Sequence, residues 1–141
     1  MFGILALLLV VSPPHFQGGN GWHVGAHGSW GWASTVTNRD CPDCVPPHHT
    51  LAQLQPGGIL IQLGNHSVEY KPQASPGAWP PRIRPRDLTA GGGEGIPRRV
   101  SFGEWFIRRK GIEHYLWVWF GRVHPTHRQL ARANAELRTA G

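Results

Sequence analysis

The sequence predicts an α+β fold: a small antiparallel sheet of three or four strands, one C-terminal helix, and long Gly/Pro-rich loops in the N-terminal and middle parts of the chain. Three observations carry this. Two runs, ILIQL at 59–63 and YLWVWF at 115–120, are dense in β-branched and aromatic residues, the types that fit a pleated surface. From Thr126 onward a helix-start signature leads into residues of high helix propensity. The 19 Gly and 13 Pro of the 141 residues crowd into the first half and into 72–97, so the core must come mainly from 57–70 and 99–139.

Taken in order, residues 1–14 (MFGILALLLVVSPP) form a signal-like apolar segment. Ten helical residues rise about 15 Å, roughly half of a hydrocarbon core, so the run cannot span a bilayer alone. Its length suits the apolar region of an export signal, although no Lys or Arg precedes it and Val24-Gly25-Ala26, the nearest good cleavage pattern, lies far downstream. Export or tethering is the favoured reading, and a buried N-terminal strand or helix is the alternative. Residues 15–35 mix Gly, His and Trp with no regular period and read as a flexible linker. Residues 36–141 then make a single small domain.

Both cysteines lie in NRDCPDCVPPHH, residues 38–49. Three chemistries use this C-x-x-C spacing. Zinc could take Cys41 and Cys44 with His48 and His49, but Pro46-Pro47 stiffens the segment and a full ligand set within nine residues is cramped. Thiol redox needs the first Cys at a helix start, and prolines follow too closely. A local disulfide pinning the Pro42-Asp43 turn is the favoured reading, because an exported chain with two cysteines pairs them.

Residues 59–63 are a strand, and Ser67 to Lys71 a candidate partner across Gly64-Asn65. In the long loop 72–97, Arg82, Arg84 and Arg86 alternate, which on an extended backbone aligns them as a candidate anion clamp. Residues 100–110 read as helix from the Ser101/Glu104 spacing or as strand from VSFGEWFI, with strand preferred. Residues 115–120 are apolar on both faces and predict a central strand, whose Tyr115, Trp117 and Trp119 form either core or a stacking shelf for sugars or bases. The last helix has Thr126 as N-cap and Gln129 completing a capping box, with Leu130, Ala133, Asn134 and Leu137 on one narrow face that docks on the sheet.

The stretch from WPPRIRPRDLTAGGGEGIPRR through YLWVWFGRVHPTHRQLARANAEL, residues 79–137, resembles small exported bacterial proteins of unassigned activity. The resemblance implies export and implies no reaction.

Charge narrows the function. The net charge is +6, and twelve of the fourteen basic residues are Arg. No Gly-x-Ser-x-Gly or His-Glu-x-x-His is present, and Gly91 to Gly95 is not followed by Gly-Lys-Ser/Thr. The resulting expectation is a secreted or envelope-associated, non-catalytic domain that binds a protein or an anionic surface polymer, with no cofactor and with an N-terminal membrane tether. A thiol-redox or metal protein built on Cys41 and Cys44 is one alternative. A cytoplasmic basic nucleic-acid binder is the other.

Overall fold

A computed structural model describes residues 13–65 and 75–141. Seven strands form one sheet: β1 (His23–His27), β2 (Trp30–Ser34), β3 (Ile59–Asn65), β4 (Gly77–Ala78), β5 (Thr89–Ala90), β6 (Ser101–Arg109) and β7 (Ile112–Phe120). Their order is β1-β2-β3-β7-β6-β4, with β5 also on the outer edge of β6. Every pairing is antiparallel except that of β4 with β6. Two helices complete the fold, α1 (His48–Gln53) and α2 (His127–Leu137). Among the described residues, no helix is long and apolar enough to cross a membrane.

Strand alternation sorts the side chains into two cores. Ile59, Ile61 and Leu63 of β3 and Leu116, Val118 and Phe120 of β7 are buried on the side of α2, which contributes Leu130, Ala133 and Leu137. Leu60 and Trp119 point the other way, into a smaller core closed by Leu51 and Leu54 of α1 and by Val100. The sheet is thus covered on both sides, on one by α2 together with Phe16 and Ile83 and on the other in part by α1.

α2 starts where its sequence signature places it. The Thr126 hydroxyl accepts the Gln129 backbone N–H at 3.1 Å, and the Gln129 side chain accepts the Thr126 N–H at 3.0 Å. Asn134 does more than pack: it accepts the Ile83 N–H (2.8 Å) and donates to the Ile83 carbonyl (3.2 Å), fastening the long loop to the helix. The short α1 has no cap of its own. Asp40 accepts the Thr50 N–H at 2.8 Å from outside the helix, and the Arg99 guanidinium donates to the carbonyls of Leu51, Ala52 and Leu54 at its other end.

Two expectations need correction. The sheet has seven strands rather than three or four, and part of the surplus lies in the stretch read as a flexible linker, where β1 and β2 pair in register and extend the sheet through β3. Glycine–tryptophan complementarity is the reason. The Trp32 indole lies flat on its cross-strand partner Gly25, and a Cβ on Gly64 would overlap the ring of its own partner, Trp30. Large rings thereby cover bare backbone on the neighbouring strand, the aromatic rescue of glycine. The other added strands are the two-residue β4 and β5, which flank a 3-10 turn at Pro85–Asp87 in an otherwise irregular stretch. The 100–110 stretch forms strand β6 over Ser101–Arg109, and β7 is central, between β3 and β6. The candidate partner strand at 67–71 lies outside the described residues.

Candidate functional site

The sheet face opposite α2 is laid out in rows. Directly paired residues share a face, so the register places Trp30, Gly64, Tyr115 and Phe106 in one row across β2, β3, β7 and β6. The next row is Trp32, Gln62, Trp117 and Glu104, and the third is Ser34, Leu60, Trp119 and Phe102. α1 covers the third row, which is why Trp119 has no exposed surface. Gln62 and Gly64 of the first two rows are buried, but Trp30, Tyr115, Trp117 and Glu104 of the same rows form the floor of a shallow cleft of about 550 Å³, with Asp43 and Val45 from the cysteine loop along its wall.

Gln62 holds that wall in place. It is fully buried; its amide donates to the Cys44 carbonyl at 2.9 Å and its oxygen accepts the Trp119 indole N–H at 2.8 Å. A buried amide with both ends satisfied orients its neighbours. Cys41 and Cys44 are joined as a disulfide with Cα atoms 5.1 Å apart, and the Cys44 N–H closes the turn on the Cys41 carbonyl at 3.0 Å. The 38–49 segment is therefore a clamped loop whose exposed edge presents Asp43 to the cleft.

Stacked rings stiffen the floor. Trp117 and Trp119 lie 5.5 Å apart with planes inclined by 10°, Phe102 contacts both, and Phe106 meets Tyr115 at 5.6 Å. Glu104 sits beside Trp117 in the register, and loss of water around it raises its carboxyl pKa above the usual value. The cleft thus combines aromatic faces with two carboxyl groups, on a chain whose net charge is +6.

A comparison with known proteins finds no matching family model, no similar curated protein and no similar solved structure. The functional reading rests on the site itself.

The other sequence candidates lie elsewhere. Among the described residues, Cys41, Asp43 and Cys44 form the one group whose donor atoms gather within metal-binding distance of one another. His49 turns to Asp40, its Nδ1 3.2 Å from the carboxylate, and His48 approaches Gly95, so neither joins that group. Asp40 has its pKa lowered: burial would raise it, but hydrogen bonds from Thr50 and His49 outweigh that. Arg82, Arg84 and Arg86 are all exposed, yet they form no single extended row, because Arg86 falls in the 3-10 turn that Arg84 precedes. Arg82 instead approaches α2 near Asn134 and Arg138. Sequence reasoning missed Asp43 and Glu104 as cleft residues and placed Trp30 in a linker. They come from three separate segments, and only the strand register unites them.

Proposed function

We propose that the protein is a non-catalytic binding domain of the cell envelope or exterior that grips a surface polymer on the aromatic cleft, and that the polymer is a neutral polysaccharide. The observation that carries this reading is the pairing of exposed ring surface on Trp30, Tyr115 and Trp117 with the carboxyl groups of Asp43 and Glu104. Aromatic faces stack on the apolar C–H faces of sugar rings, and carboxylates accept charge-assisted hydrogen bonds from hydroxyls. An anionic chain would meet like charge at Asp43 and Glu104, so a neutral glycan fits better than an acidic one. The cleft is shallow and open, which leaves room for a sugar chain on its floor. The apolar run at 2–11 and the disulfide at Cys41–Cys44 are what support the envelope compartment.

The test is retention of the full chain on insoluble peptidoglycan, chitin and cellulose at near-physiological salt. Trp117→Ala removes one stacking surface and should weaken retention roughly tenfold or more, on the scale measured for base–aromatic stacking. Gly64→Ala should displace the Trp30 ring and weaken binding while leaving Trp117 in place. Equal retention of wild type and both variants would refute the cleft as the site. Release of reducing ends from the polymer would refute the non-catalytic reading.

A further inference from the structure

The outer side of α2 carries a charge pattern that the cleft, on the opposite face of the sheet, does not use. Arg128, Arg132 and Arg138 surround the exposed Ala131 and Ala135. The single acid of the helix, Glu136, is buried and turned inward, accepting the Gly18 N–H at 2.9 Å and the Thr139 hydroxyl at 3.2 Å. Arg82, brought alongside by the grip of Asn134 on Ile83, meets Arg138 at a depression of about 400 Å³ that includes Ala131 and Pro81. Near the helix start, Arg122, Arg128 and Arg132 line a second depression of about 270 Å³. Arg132 is committed, lying over Trp22 at 5.0 Å and donating to the Asn20 carbonyl. Among the described residues, Arg82, Arg122, Arg128 and Arg138 enter no ion pair. The face is a set of cations around small side chains.

The chain enters the fold on this same side. Residues 15–20 run alongside α2 in the opposite direction. His15 exchanges backbone hydrogen bonds with Gly141, the Gln17 N–H reaches the Thr139 hydroxyl at 3.1 Å, and Asn20 meets Arg132. Phe16 is buried in the core beneath α2, and the Pro14 carbonyl lies against Gly31. His15, near the start of the described chain, thus lies beyond the C-terminal end of α2, the end that carries Arg138.

We propose that the outer face of α2, with Arg82 and Arg122, is a contact surface for anionic phospholipid. Guanidinium groups bind phosphate in a two-pronged fork, and Ala131 and Ala135 let the helix come close to the headgroups. Basic residues near an anionic leaflet add to a hydrophobic anchor, and stable attachment takes two such signals. Nucleic acid would also attract this surface, but a chain whose sequence at 2–11 is apolar has a use for a bilayer that nucleic acid does not meet.

The experiment is co-sedimentation of the full chain with phosphatidylcholine vesicles, with and without phosphatidylglycerol, at near-physiological salt. Phosphatidylglycerol should strengthen binding. The double substitution Arg82→Gln with Arg138→Gln should remove most of that gain, about 25-fold at a contribution of roughly fivefold per cation. Binding to pure phosphatidylcholine should stay as it was. Should the double variant fold poorly, Arg128→Gln alone should lower the gain about fivefold. Equal binding to both vesicle types, or a gain that survives these substitutions, would overturn the proposal. So would displacement from anionic vesicles by duplex DNA at matched phosphate, which would make nucleic acid the occupant. Retention on polysaccharide is read separately, so failure here leaves the cleft reading standing.

Discussion

Among the described residues, His114 is the side chain whose protonation folding changes most. It is 1% exposed, on the α2 side of β7. Burial, and then the positive charge of Arg109, push its pKa down to about 4, with the Gly64 backbone opposing them. In the unfolded chain the ring titrates near 6.5. Between those values the unfolded state holds the proton and the folded state does not, so stability is complete above about 6.5 and falls as pH drops toward 4. The loss over that window is about 3 kcal/mol. Urea unfolding across that range should show the slope, and His114→Gln should abolish it; an unchanged slope would refute the assignment. Asp40 acts separately. Its depressed pKa contributes stability above the ordinary carboxylate value that disappears only as pH falls below it.

At the scale of elements, the cysteine loop and α1 behave as one clamped unit. The Cys41–Cys44 bond closes a short loop, and loop-closure entropy assigns it about 2 kcal/mol. Cys41→Ser with Cys44→Ser should lower stability by that order in urea unfolding. The variant should retain cleft binding, because Gln62 still holds the Cys44 carbonyl. Loss of binding at unchanged stability would instead give the thiols a role in the ligand site. Elements differ in how openly the sequence declares them. β3, β7 and α2 are legible because their signals are local: branched and aromatic runs in the strands, a capping box in the helix. α1 is illegible because its ends are satisfied from outside the helix, by Asp40 in the preceding loop and by Arg99 remote in sequence, and Pro47 at its start offers no side-chain cap. β1 and β2 are hard to read because HVGAH and WGWAS are short and diluted by Gly, His and Ala; their strand character lies in rings placed over glycines of the neighbouring strand.

For the whole molecule, the sheet separates two surfaces of unlike chemistry. One face bears aromatic rings with Asp43 and Glu104, the other bears α2 and its arginines. Sites that share no residues should be energetically independent. Trp117→Ala should therefore leave vesicle binding unchanged, and the Arg82/Arg138 double variant should leave polysaccharide retention unchanged. Combining both sets should give additive losses, and marked non-additivity in either assay would show that the two surfaces are not separate sites. The sequence alone determined the two long strands, the capped C-terminal helix and the excess of arginine, since each is written in neighbouring residues or in composition; for the two cysteines it left three chemistries open. Only the tertiary structure decided that Trp119 is core while Trp117 is accessible, that Trp30, Asp43 and Glu104 share a cleft with it, and that the arginines of the long loop and of α2 meet. Those outcomes depend on strand register and on what covers each row of the sheet, and neither is encoded within the reach of a local pattern.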